Sequence, residues 1–390
     1  MPSHRTNLVA FLLAFLCTLT CFATASPVTD NKYFVYVGTY TQAGSESKGI
    51  YAYRFDPATA QLTPIGLAAE TINPSFLAVH PNHRFLYAVN EVSNYNGQKS
   101  GAVSAFAINR ATGKLTLLNQ IASRGADPCY IVVDQSGKHV LVANYTGGSI
   151  AVFPVLEDGG LGEASAFVQH TGHGTNPERQ EGPHAHSIDL SSDNRFAVVD
   201  DLGLDETLVY QFNSPKGLLA ADNPKIAKAA PGAGPRHFAL HPNGKFGYVI
   251  NEMHSTVSAF RYNPSSGELQ PLQTISSLPR DFSGHNESAE IQMHPSGKFL
   301  YASNRGHDSI AAFAIDLNKG TLTPIEYVST KGGSPRDFEI APGGSLLFAA
   351  NEKSDNIVVF RINQHTGRLT ATGKVLNISQ PVCVKFVAIK

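Results

Sequence analysis

Two histidines one residue apart, in Gly182-Pro183-His184-Ala185-His186-Ser187, stand where comparable segments of the chain carry apolar residues. Arg236-His237 and Arg336-Asp337 each follow a proline, and Glu290 opens another such segment. Tyr145, Glu252 and Arg305 each follow an asparagine. These residue types suit proton transfer and anion recognition. A neutral imidazole or a carboxylate takes a proton from water when its pKa lies near the working pH. Guanidinium groups hold a carboxylate or phosphate through paired N–H donors and stabilise a developing oxyanion. Gathering such charges in one place is costly unless they pair or bind something. They therefore read either as a salt-bridge network or as an anion site with an acid–base pair, and the second is expected. No nucleophile-elbow serine or metal-ligand spacing accompanies them, so no covalent intermediate, metal or cofactor is expected. Metal binding by His184, His186 and Asp201 is the lesser alternative.

Residues this far apart need a repeat to bring them together, and the chain has one. Gly234-Pro235-Arg236-His237-Phe238-Ala239-Leu240-His241-Pro242-Asn243-Gly244-Lys245-Phe246-Gly247-Tyr248-Val249-Ile250-Asn251-Glu252 reads as strand, turn, strand and closing asparagine. The closing residue recurs at Asn90, Asn144, Asp200, Asn251, Asn304 and Asn351, after a degenerate copy at Thr39. A period near fifty residues with about four short strands each is the mark of a β-propeller. The fold class is all-β, a seven-bladed β-propeller. An isolated strand, Tyr33 to Thr39, opens the chain, and a first strand from Gln380 to Val387 ends it. Their pairing closes the ring and removes open edges. Within each repeat the apolar residues alternate with period two.

In this arrangement the start of each first strand and the end of each second strand share one mouth of the central channel. That mouth collects Asn73, Glu91, Tyr145, His184, His186, Asp200, Asp201, Arg236, His237, Glu252, Glu290, Arg305, His307, Arg336, Asp337 and Glu352. His80, His241 and His294 fall in turns at the other end. The repeated Asn or Asp is read as a structural cap on the local backbone. A polar, glycine-containing segment from Gln169 to Gly182 leads into the third full repeat and is either a partial lid or a mobile surface loop.

The chain has 390 residues, with 30 basic against 31 acidic side chains, no tryptophan and no basic run. Nucleic acid is not an expected partner, and tryptophan-aspartate repeats are excluded. His4 and Arg5, the apolar run Leu8 to Leu19 and Ala23-Thr24-Ala25 form a signal-peptide pattern. Residues 1–25 are expected to be a signal peptide and 26–390 a single propeller domain, exported to the periplasm or cell exterior, with no membrane span. Of the cysteines, Cys129 and Cys383 follow the presumed leader. Both lie just after a proline on first strands two blades apart, too far for a disulfide, and are expected as buried thiols. A monomer is expected.

Taken together, Val35-Tyr36-Val37-Gly38-Thr39-Tyr40, Gly182-Pro183-His184-Ala185-His186, Gly234-Pro235-Arg236-His237, Asn251-Glu252, Ser288-Ala289-Glu290, Asn304-Arg305-Gly306-His307-Asp308 and Ser334-Pro335-Arg336-Asp337-Phe338 resemble one family. It is the seven-bladed lactonase family, which includes propeller-type 6-phosphogluconolactonases and the fungal carboxy-muconate cyclases. The resemblance spans the chain after the leader. It implies hydrolysis of a sugar-derived lactone, with a small-molecule lactone or organic acid as partner. It also implies a catalytic His, two Arg and a Glu, which match His184 or His186, Arg236, Arg305 and Glu252. Glu252 or His186 is expected as the base, and Arg236, Arg305 and Arg336 as the anion clamp. Glu290, Asp337, His237 and Tyr145 are expected to line the substrate. A muconate-type lactonising reaction and a non-enzymatic binding propeller remain the alternatives. Export favours an unphosphorylated lactone, because phosphorylated sugars are cytoplasmic metabolites.

Overall fold

The computed structural model describes residues 1–2 and 32–389. Residues 32–389 belong to one compact unit. The proposed signal peptide, 1–25, lies outside the described residues beyond its first two. Among the described residues, no helix is long and apolar enough to cross a membrane.

Seven antiparallel sheets make the blades. Blade 1 runs from the channel outward as Pro381–Ile389, Lys32–Thr39, Gly49–Asp56 and Gln61–Glu70. Its innermost strand therefore comes from the C-terminus, in the register Tyr33 to Ala388 and Val37 to Val384. The expected closure of the ring is realised. The first strands of blades 2 to 7 begin at Leu77, Pro128, Ala185, Pro235, Glu287 and Pro335. These strands neighbour one another around the whole circle, with Pro381–Ile389 touching both Leu77–Val79 and Pro335–Ile340. Blade 4 departs from the pattern, its outer edge being split into Leu218–Leu219 and Lys225–Lys228.

The simple period-two alternation holds only at the rim. Ala166–Gln169 alternates between half-buried and exposed residues, whereas the second strands, such as Phe246–Asn251 and Phe85–Asn90, are buried throughout. Each inner strand is covered on both faces by adjacent blades, as in stacked sheets, so neither face is free for solvent.

Two side-chain straps join successive blades. Tyr36, Tyr87, Tyr248 and Tyr301 each donate a hydroxyl to the turn-glycine carbonyl of the next blade, at Gly113, Gly159, Gly320 and Gly367. Burial pushes these phenols up, so they remain donors at any physiological pH. Gly113 has φ +77°, and a Cβ there would meet the Phe34 ring at 2.8 Å, so both conformation and space demand glycine. At the far end of the channel, His80, His241 and His294 donate from Nε2 to the carbonyls of Gly137, Gly297 and Gly344. Their Nδ1 atoms accept N–H groups of their own turns. The turn histidines thus tie adjacent blades together as well as shaping their own turns.

Two placements made from the repeat shift. Asp201, not Asp200, closes the second strand of blade 4: it pairs with Glu206 as Asn251 pairs with Thr256. Asp200 lies one step inward, where it accepts from Thr207 and Ser187, and burial pushes its carboxyl up to about 7. Cys383 faces Gly38, which makes it the counterpart of Tyr130 rather than of Cys129. Both cysteines are buried free thiols.

Replacing Tyr248 by Phe removes one strap and leaves the Gly320 carbonyl unpaired. The expected result in urea unfolding is a loss of about 1–3 kcal/mol with activity retained.

Candidate active site

Local backbone irregularity places the reactive side chains. The pairing of the first two strands slips between Pro128 and Tyr130, Ala185 and Ser187, Pro235 and His237, and Pro335 and Asp337. The residues in these bulges are Cys129, His186, Arg236 and Arg336. A bulge re-aims the side chain it carries, and here the same bulge supplies one imidazole and two guanidinium groups. His184 lies outside the strand, so His186 is the structural counterpart of the two arginines. The second source is the residue after the closing position. Asn251 is held by Thr256 and Ser258, while the N–H of Glu252 bonds Gly234 O at 2.7 Å. The same place in other blades holds Tyr40, Glu91, Tyr145, Arg305 and Glu352.

Glu252 is the hub. Its Oε2 takes Arg236 Nε at 2.9 Å and Arg305 Nη2 at 2.9 Å, and its Oε1 takes Arg179 Nη2 at 2.5 Å. His186 Nε2 lies 3.9 Å from Oε2. Burial alone raises a carboxyl pKa, but the guanidinium groups of Arg305, Arg236 and Arg179, with His186, hold Glu252 well below the usual range. Burial, Arg236 and His237 push His186 well below the ordinary histidine value, so its ring is neutral. Burial lowers Arg236 to about 10, its fellow arginines adding to the effect.

Arg236 also donates to Ala289 O at 2.8 Å and to His237 Nε2 at 3.0 Å, and His237 Nδ1 meets Glu290 at 2.8 Å. Burial raises Glu290 to about 7 and lifts Asp337 as well. Arg336 lies 3.9 Å from Glu91 and over the Tyr40 ring at 5.3 Å. Tyr145 stacks on His184 at 4.5 Å and meets His186 edge-on at 5.3 Å. His184 turns instead to Tyr145 O and Glu181.

A cavity of about 470 Å³ opens above this layer, lined in part by Tyr40, Glu91, Glu287, Arg305, Arg336 and Glu352. Of the expected residues, Arg305 and Arg336 line it directly. Arg236, Glu252 and His186 join Arg305 in one contact network. His186, Arg236, Glu252, His237, Glu290 and Asp337 are all buried and are not among the cavity's lining residues. Asp201 accepts His170 Nδ1 at 2.6 Å and the His184 N–H at 2.8 Å. It is thereby engaged by His170 and the His184 backbone rather than by either imidazole of the His-x-His pair. His170 in turn meets the Tyr210 hydroxyl at 3.0 Å.

The 169–182 segment is anchored, not loose. The His170–Asp201 bond fixes one end, and Gln180 donates to Leu202 O and Asp205 at 2.8 Å each at the other. Between them Arg179 spans to Glu252 and to Glu287, both at 2.5 Å. Neither Arg179, inside the 169–182 segment, nor Glu287 is among the residues expected at the site. Arg179 belongs to a connection that the repeat does not template, and Glu287 is the first residue of the blade 6 inner strand, paired with Arg305.

The profile of the lactonase family, seven-bladed β-propeller, matches residues 34–386, and the chain belongs to that family. It is 40% identical over 355 residues to the 6-phosphogluconolactonase of Bacillus subtilis, covering 91% of this chain and 98% of that one. It is 37% identical over 314 residues to the 6-phosphogluconolactonase of Formosa agariphila, covering 78% and 86%. The periplasmic gluconolactonase of Pseudomonas aeruginosa superposes with a TM-score of 0.84 at 32% identity, over 92% of this chain and 100% of that one. The protein is accordingly a lactonase, a hydrolase.

Glu252→Gln strands three guanidinium groups that now share one carboxylate. A destabilisation of about 3–5 kcal/mol is expected, measured by chemical denaturation. Because the folded-state pKa is depressed, the carboxylate's contribution is complete above the ordinary value of 4.5 and is lost progressively as pH falls from there to the folded one. The gap between wild type and variant should therefore be full above pH 4.5 and narrow steadily below it.

Proposed function

We propose that the protein hydrolyses an unphosphorylated sugar lactone at the mouth of the channel, with His186 as the base. The observation that carries this reading is the charge balance around Glu252. The cations at the mouth, Arg179, Arg236, Arg305, Arg336 and Lys353, are matched by Glu91, Glu252, Glu287, Asp308 and Glu352. A phosphate dianion entering here would have to displace carboxylates already seated on the arginines. A neutral lactone would not. The relatives named for the phosphorylated lactone argue the other way, and the Pseudomonas aeruginosa gluconolactonase supports the reading adopted.

In the proposed reaction Arg305, at the cavity wall, and Arg336 take the lactone carbonyl. The neutral His186 ring accepts a proton from water as the oxygen adds to the carbonyl carbon. The resulting oxyanion is stabilised by the guanidinium groups. Collapse breaks the bond to the ring oxygen, which leaves with the proton returned by His186, and the carboxylic acid so formed releases its own proton to solvent, leaving a carboxylate beside the arginines. Glu252, saturated by three arginines and far too acidic to take a proton at neutral pH, positions them. Of the two candidate bases, the geometry therefore favours His186 over Glu252. Export of the enzyme is proposed on the leader-like sequence of residues 1–25 and on the periplasmic relative.

With glucono-1,5-lactone, His186→Gln should lower kcat by about a hundredfold or more with little change in KM. Because the ring's pKa is depressed, kcat/KM of the wild type should stay level above pH 6.5 and decline only well below it. A variant with wild-type kcat would move the base to a carboxylate at the cavity rim.

A further inference from the structure

Most connections between blades are short. The two long ones are 170–184, leading into blade 4, and 277–286, leading into blade 6. Blade packing requires neither, since the other blades manage with fewer residues. Both meet at one place. A second cavity of about 820 Å³ lies there, with Thr175, Glu178 and Arg179 from the first connection and His285 from the second. His254, just beyond Glu252, completes the wall.

This cavity adjoins the first, and both are lined by His285 and Glu287. The Arg179–Glu287 pair, at 2.5 Å, stands at their boundary. The wall is fixed in place, because Arg179 is also held by Glu252 and its segment is fastened by the His170–Asp201 and Gln180–Asp205 bonds. Each volume falls within the range of small-molecule sites, roughly 300–1,000 Å³. Thr175, Glu178, His254 and His285 present a hydroxyl, a carboxylate and two imidazoles that form no side-chain hydrogen bond or ion pair among the described residues. Such groups are donors and acceptors for a polyhydroxylated ligand. Glu178 and Glu287 together outweigh Arg179 in charge, which disfavours an anionic one.

We propose that the second cavity is a subsite for a neutral glycosyl unit, so that the substrate is the lactone of a disaccharide-type aldonic acid. Its lactone ring lies in the arginine-lined cavity and its second sugar lies between the two long connections. The identity of the reacting end rests on the lactonase mechanism above, but the subsite does not. The enzyme therefore stands downstream of a reaction that oxidises the reducing end of an oligosaccharide to its lactone.

Calorimetric titration of the full protein with gluconate and with maltobionate tests the subsite independently of turnover. The disaccharide acid should bind at least tenfold more tightly, and this preference should fall to about one in His254→Trp and in Thr175→Trp, which fill the cavity. In parallel, kcat/KM should favour the disaccharide lactone in the wild type and lose that preference in both variants. Equal binding of the two acids by the wild type would overturn the proposal, as would a preference that survives both tryptophans. A binding preference that disappears in the variants, without turnover of any lactone, would uphold the subsite and remove the hydrolytic reading instead.

Discussion

The mouth of this propeller is organised around a buried carboxylate, Glu252, that accepts three guanidinium groups from three different parts of the chain. Arg236 comes from the inner strand of its own blade, Arg305 from the next blade and Arg179 from the connection before blade 4. An isolated buried charge costs several kcal/mol, and an ion pair recovers this only when its geometry is good and its remaining hydrogen bonds are met. Here the contacts are close and shared, and the remaining donors of Arg236 find Ala289 O and His237. The arrangement fixes the guanidinium planes before any ligand arrives, which is the condition for useful stabilisation of developing charge.

Such a cluster needs a rigid frame. The frame is supplied by pairing of the chain termini in blade 1, by the tyrosine hydroxyls that reach the next blade's turn, and by the histidines that join blades at the far end. These contacts repeat with the blades and carry no chemistry. The charged and aromatic side chains of the mouth sit where the repeat is broken: at the bulged residues of several inner strands, at the residue after the closing position, and in two long connections. Packing leaves those positions free to vary.

That division explains what the sequence disclosed. The blade number, the closure of the ring and the gathering of His186, Arg236, Glu252 and Arg305 at one mouth all follow from a strict period, and all were legible. The slip from Asp201 to Asp200 arose because two adjacent aspartates offered the same side chain and only strand pairing distinguishes them. The histidine ambiguity had a similar origin: His184 and His186 are equivalent by alternation, but a bulge at Ala185 makes only the second a counterpart of Arg236. The role of Arg179 was invisible because it depends on where a non-repeating segment is fastened, through His170 to Asp201 and Gln180 to Asp205.

The central claim is that the arginines at the mouth are already balanced by carboxylates and receive a neutral lactone. Its most direct test is the ratio of kcat/KM for glucono-1,5-lactone and its 6-phosphate, measured on one purified sample as ionic strength is raised. The account predicts a ratio in favour of the unphosphorylated lactone that changes little with salt, since no net charge steers the substrate. A preference for the phosphorylated lactone that weakens as salt is added would contradict it.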